Sequence, residues 1–144
     1  MINDYFSAIP RGADVPRVNI TEEPIKTPIK AVAYDPNIQI PAVVTGYRMP
    51  SVTTRDAKVL DMISTYLSDG NSSKLYKKMV DEKKMALQVG AFNISQEDYG
   101  MYLIFGLPLG DNSLESLVEA MDEEVVKIQK ELISEKDYQK LQNK

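Results

Sequence analysis

The side chains able to do chemistry in this 144-residue chain are carboxylates, lysines, arginines and hydroxyls, because it contains no His, no Cys and no Trp. That absence excludes, within these residues, histidine-ligated zinc, a Ser-His-Asp triad, a Cys-His pair, a disulfide framework and an iron–sulfur cluster. Three patterns remain. The first is the run Leu67-Ser68-Asp69-Gly70-Asn71-Ser72-Ser73-Lys74-Leu75-Tyr76, in which a glycine and small polar residues precede a helix and could present N–H groups to an anion. It lacks the Gly-x-x-x-x-Gly-Lys-Ser/Thr loop of a phosphate binder, so a capped corner between two helices is the better reading. The second is the carboxylate runs Asp81-Glu82 and Asp122-Glu123-Glu124. They stand beside Lys83, Lys84 and Lys127 on charged helix faces, and nothing separates their acidities as acid–base catalysis requires. The third is three Asn-x-Ser/Thr sequons, at Asn19, Asn71 and Asn93, which matter only where a protein is glycosylated. No catalytic, cofactor-binding or metal-ligating residue is assigned.

The elements that must carry these groups follow from periodicity. A short apolar segment up to Ile9 meets Pro10, and then Gly12, Pro16, Pro24 and Pro28 punctuate a polar stretch. Prolines at this density keep the chain extended, which predicts a linker with an edge strand over part of residues 17–22. Ile29 to Tyr34 and Ile38 to Met49 read as two strands around a turn at Asp35-Pro36-Asn37. Both faces of the second are largely apolar, which predicts a central strand ended by Pro50.

Ser51 or Thr53 is the expected cap of a helix bearing Val59, Leu60, Met62, Ile63, Tyr66 and Leu67, stopped by Gly70. A second helix is expected from about 73 to 83, with Leu75, Tyr76, Met79 and Val80 on one face. Strands at Leu87–Ile94 and Tyr99–Leu107 follow. Asp111, Asn112 or Ser113 then caps a helix whose apolar set is Leu114, Leu117, Val118, Met121, Val125, Ile128 and Leu132. Ser134 followed by Asp137 has the spacing of a capping box and opens a last helix. The tyrosines and methionines on these stripes are expected in the core. The predicted order is β-β-α-α-β-β-α-α: an α+β fold, antiparallel sheet, helices packed on one face, with a hint of internal duplication.

Hydrophobic residues at 43% and charged residues at 26% describe an ordinary globular domain, long enough for one core. Seventeen basic against 21 acidic residues, a net charge of −4, argue against a nucleic-acid partner. No run approaches the roughly 20 apolar residues of a membrane helix, and location is not legible.

In order and spacing the pieces resemble the second domain of a pitrilysin/insulinase-type zinc metallopeptidase, the family that includes the mitochondrial processing peptidases. The resemblance runs through Tyr47-Arg48-Met49-Pro50, the helix with Asp56, Leu60 and Ile63, and the Leu67–Tyr76 corner. It continues through Met79-Val80-Asp81-Glu82-Lys83-Lys84-Met85-Ala86, a strand opened by Gly100, and the closing Ile133–Leu141 helix. Tyr5-Phe6-Ser7-Ala8-Ile9-Pro10 resembles the tail of a preceding domain. The resemblance implies residues 1–27 as that tail and a Pro-rich linker, and residues 28–144 as a noncatalytic peptidase-family domain shortened at its C-terminus.

The family's zinc is held by His-x-x-Glu-His and a downstream Glu in another domain. The resemblance therefore implies no cofactor in this chain, and zinc in a parent metallopeptidase. The family's Leu-Arg-Glu-Lys-x-Gly-Leu-Ala-Tyr pattern supplies a substrate-holding Arg and Tyr, and here Val80 and Leu87 stand at those places. The implied role is a chamber-forming, substrate-enclosing domain. Its implied partners are a catalytic domain, in the same chain or another, and a peptide substrate. The alternative is a scaffold or assembly protein of the same fold without peptidase activity.

Overall fold

A computed structural model describes residues 1–143. A short helix α1 (Ile2–Phe6) precedes a long irregular segment, and the packed part of the chain begins at strand β1 (Val43–Pro50). It continues with α2 (Arg55–Ser68), a π-helix (Tyr76–Glu82), β2 (Ala86–Ile94), β3 (Tyr99–Pro108), α3 (Leu114–Lys130) and α4 (Glu135–Gln142). Every residue from 1 to 42 is exposed.

The class is α+β, but the element order differs from the expected one. Ile29–Tyr34 is not a strand, and no strand forms over 17–22. The turn at Asp35 does form, with Ile38 N donating to Asp35 O at 3.1 Å and Asn37 N to Asp35 Oδ1 at 2.8 Å. Its flanks do not pair. Alternation marks a segment able to be a strand, yet a strand needs a neighbour with free backbone groups and a surface to bury against. Segment 29–34 has neither. Without that first hairpin, the suggested duplication has no structural counterpart.

The sheet has three antiparallel strands in the order β1-β3-β2. β1 is therefore an edge strand, not the central one expected; β3 takes the centre. Val43 lies opposite Gly106 and Pro50 opposite Tyr99, while β2 joins β3 with Gly90 opposite Phe105 and a bulge between Ala86 and Gln88.

Helices cover one sheet face. Val89 and Ala91 of β2 and Tyr102 and Ile104 of β3 meet Leu67 of α2, Leu75 and Met79 of the next helical segment, and Leu117, Ala120 and Met121 of α3. Met49, Leu67, Leu75, Met79, Ile104, Leu117 and Met121 are fully buried. At about 1.5–3 kcal/mol for each large apolar side chain removed from water, these residues supply most of the driving force for the fold.

Caps set the helix starts. Thr54, one residue beyond the expected Ser51 or Thr53, accepts from Ala57 N. Ser113 accepts from Ser116 N and Ser134 from Asp137 N. α3 ends sooner than its apolar stripe implied: Glu131 adopts an extended conformation, and Leu132 is fully exposed. The expected helix over 73–83 is wound in its larger part as a π-helix, with Lys83 N bonded to Lys78 O at 2.9 Å and Met85 N to Met79 O at 2.8 Å. The wider turn lets Met79 and Met85 both enter the core.

Candidate functional site

Two surfaces stand out. The first is the sheet face that carries no helix. From the strand pairing, Val44, Gly46 and Arg48 of β1, Met101, Leu103, Phe105 and Leu107 of β3, and Gln88, Gly90, Phe92 and Ile94 of β2 share it. Val44 is 59% exposed, Phe92 44% and Met101 49%, against 1–8% for Met49, Val89, Tyr102 and Ile104 on the opposite face. Phe92 and Phe105 meet edge to face, ring centroids 6.1 Å apart. Phe105 can lie over Gly90 because a Cβ there would come within 2.4 Å of its ring. The result is a broad apolar plate framed by Arg48 and Gln88. A contiguous exposed patch of this kind marks a surface that something else covers.

The two-sided apolar alternation of β3 in the sequence is the signal for this plate. In β3 both alternating sets are apolar, Tyr102 and Ile104 on one side and Met101, Leu103, Phe105 and Leu107 on the other.

The second surface is the corner Gly70–Lys74 against α4. Lys74 Nζ lies 3.1 Å from Asp137 Oδ2 and 5.1 Å from the Tyr66 ring centroid. Lys140 Nζ donates to Ser72 Oγ. Burial alone would lower the Lys74 pKa, but the hydrogen bonds to Asp137 and Tyr66 outweigh it and hold it above its ordinary value. Asp137 is held below the usual carboxylate range by hydrogen bonds from Ser134 and then Lys74. Ser73 is buried, and its Oγ has no hydrogen-bond partner among the described residues. Two lysines and two aspartates line this small cavity, so no net charge favours an anion. The corner docks α4, whereas the cap expected of its small polar residues does not form: no side-chain hydrogen bond caps the helical segment that follows.

The other candidates are scattered. Asp122 accepts from Tyr47 Oη at 3.3 Å, Glu123 pairs with Lys83 at 3.1 Å, and buried Glu124 pairs with Lys127. Glu82 pairs with Lys78 at 2.9 Å. These are one tyrosine hydrogen bond and three ion pairs with lysines, not a catalytic dyad. Asn93 is engaged through its side-chain amide with Asp61 at 2.6 Å and Ser95 at 3.0 Å. Asn19 and Asn71 are exposed. At the places of the family's substrate-holding pair, Val80 packs against the core and Leu87 sits exposed at the β2 bulge.

The chain has no imidazole or thiolate, and among the described residues no three acidic side chains group closely enough to hold a metal ion. These residues do not fit zinc.

The comparisons with known proteins give this geometry a context. The family described as the peptidase M16 inactive domain matches residues 1–144. The chain belongs to that family. Zinc protease PqqE of Helicobacter pylori is 28% identical over 124 residues, which are 79% of this chain and 27% of that protein. The crystal structure of a protease from Helicobacter pylori superposes with a TM-score of 0.71 at 25% identity, over 74% of this chain and 26% of that one. The inactive peptidase domain of a proposed zinc protease from Bordetella parapertussis shares the fold, with a TM-score of 0.63 at 20% identity over 71% and 55% of the two chains. This M16 inactive domain thus spans about a quarter of the length of the Helicobacter relatives. No helix among the described residues is long and apolar enough to cross a membrane.

Proposed function

We propose that this M16 inactive domain is a noncatalytic wall of a chamber that encloses a peptide, within a zinc-dependent metalloendopeptidase whose metal and activated water lie in another domain. Residues 1–27 serve as the tail of a preceding domain and its linker. The observation that carries the reading is the helix-free plate of Val44, Phe92, Ile94 and Met101, left exposed beside a well-filled core on the other side. Exposed apolar patches of this kind mark interaction surfaces, and a neighbouring domain or an enclosed chain is the cover that the peptidase family suggests. The similarity to a protein named zinc protease supplies the chemistry that the neighbour would perform.

The test is reconstitution. The chain alone is expected to cleave no fluorogenic peptide with or without zinc. Mixed with a family catalytic domain carrying His-x-x-Glu-His, it should form a complex that does. A Phe92→Glu/Met101→Glu double substitution should weaken complex formation while leaving the circular dichroism of the chain intact. Zinc-dependent cleavage by this chain alone would overturn the proposal, as would undiminished assembly of the double variant. A stable complex without hydrolysis would favour the scaffold reading.

A further inference from the structure

The plate is not the only open feature of the sheet. β1 is paired on one side only, by β3, and among the described residues no backbone hydrogen bond joins its other side to any segment. Val43–Met49 is also a short run of the kind that pairs with copies of itself. It is rich in β-forming residues, free of proline, and carries one charge, Arg48. Proteins blunt such an edge with charge, proline or a covering segment. Here residues 17–30 run past it, pinned at three points.

At the first, Arg17 reaches Glu97 and Asp98, each at 2.7 Å. Both carboxylates belong to the β2–β3 turn, which Val52 N fixes to the chain after β1 by donating to Gln96 O at 3.0 Å. At the second, Arg48 meets Glu22 at 2.8 Å, donates to the Glu23 carbonyl and lies 5.9 Å from the Tyr99 ring centroid. Tyr99 Oη accepts from Glu22 N at 3.4 Å. At the third, Lys30 meets Glu115, in the first turn of α3, at 3.5 Å.

These anchors follow β1 from end to end. Pro50 lies opposite Tyr99, and Val43 lies opposite Gly106, against which Leu117 of α3 packs. The strap therefore runs antiparallel to β1, from its Pro50 end to its Val43 end. Extended, the steps from Glu22 to Lys30 reach about 26 Å, against about 23 Å for β1 itself. Yet strap and strand do not pair. Pro24–Pro28 and Gly46–Pro50 line one groove of about 570 Å³ that keeps them apart, and the two prolines bring no N–H to a ladder.

We infer that residues 17–30 are a charge-held cover, released by ionic strength, that keeps the β1 edge from pairing with β1 of other copies of this chain. While closed, the strap occupies the place of a fourth strand. No residue from 17 to 30 is buried, so charge and hydrogen bonds at the anchors hold it rather than an apolar core. Exposed ion pairs are weak singly and screened by salt, with a Debye length of about 3 Å at 1 M.

The chain has no Cys, so Thr27→Cys offers a single attachment point for a nitroxide. At about 20 mM salt the label should broaden the backbone amide resonances of Gly46–Met49, and at about 1 M sodium chloride their intensity should recover about threefold. Arg17→Ala/Glu22→Ala/Lys30→Ala should give the same recovery at low salt. All three residues are exposed and outside every helix and strand, so the packed part stays folded.

The second measurement is self-association at low salt, read by light scattering in the Phe92→Glu/Met101→Glu background, which silences the plate. There the triple substitution should speed association about tenfold, with amide shifts at Gly46–Met49. Broadening that persists at high salt, or in the triple variant, would overturn the charge-held cover. Unchanged association, or shifts centred on β2, would overturn its role in guarding β1.

Discussion

Lys74 and Asp137, 63 residues apart in the chain, meet at 3.1 Å and tie the corner after α2 to the first turn of α4. Ser134, the N-cap of α4, donates to the same carboxylate at 2.9 Å, so one ionised oxygen joins the helix cap to the rest of the fold. α4 buries no residue completely, and this polar junction is a main part of what holds it.

Acid should therefore release α4 early. The folded-state pKa of Asp137 lies below its ordinary value of about 3.9. A lowered carboxylate pKa contributes stability that is present above the unfolded value and lost as pH falls through the folded one. Amide exchange in α4 is expected to speed up below about pH 4 while β3 stays protected. Asp137→Asn should loosen α4 at neutral pH, and the difference from the parent chain should vanish in acid. A difference that persists unchanged at low pH would contradict this account.

Gly100 allows no side chain. A Cβ there would stand 2.5 Å from the Ile94 carbonyl oxygen and 2.8 Å from Met49 Cγ. The carbonyl belongs to the end of β2 and cannot turn aside as a flexible side chain could. Gly100→Ala should cost about 1–3 kcal/mol in urea unfolding. Gly12→Ala, with nothing within 4 Å of its Cβ, should cost nothing measurable in folded-state contacts. Equal midpoints for Gly100→Ala and the parent would disprove the clash.

Lys84 is the one non-glycine residue with positive φ, at 49°, among the described residues. It lies between the π-helix and β2, at the place of the glycine in the Leu-Arg-Glu-Lys-x-Gly-Leu-Ala-Tyr pattern. The left-handed conformation costs an L-residue roughly 1–2 kcal/mol, partly offset by the greater freedom that glycine has when unfolded. Lys84→Gly is expected to stabilise the chain by roughly 0.5–1 kcal/mol, read as a higher urea midpoint at unchanged slope. Lys84→Ala should give no such gain. A lower midpoint for the glycine variant would refute the strain.

Trypsin should cut first after Arg11, Arg17, Lys26 and Lys30, which are exposed and outside any helix or strand. Opening there requires no loss of core contacts, whereas Lys78 and Lys127 lie within helical segments. Mass spectrometry of early time points should show a persistent product retaining Val43 onward. First cuts after Lys58, Lys78 or Lys127 would show that the packed part opens more readily than the N-terminal segment.

Much of this fold was legible in residue order. Ser134 marked its helix, and Ser113 was one of three candidates for its own, because a hydroxyl satisfying the first free N–H groups is a local interaction. The β2–β3 pair was legible because its alternating runs flank a short polar turn. Leu132 was misplaced because the apolar spacing continues past Lys130 while the backbone turns away at Glu131. The π-helix left no sign, since Leu75, Tyr76, Met79 and Val80 suit an ordinary helix equally well.

Local chemistry determined the cap of α4 at Ser134, the β2–β3 hairpin and the end of α2 near Gly70, since each depends on residue types within a few positions. Only the tertiary structure decided that β3 is central, that β1 has an open side, and that Ile29–Tyr34 remains outside the sheet. Strand pairing depends on which distant backbone groups find partners, and two apolar runs of equal character can end with one paired and the other exposed. The plate around Phe92 and Met101 has the same origin: apolar alternation states that a face exists, and the placing of the helices states which face is left open.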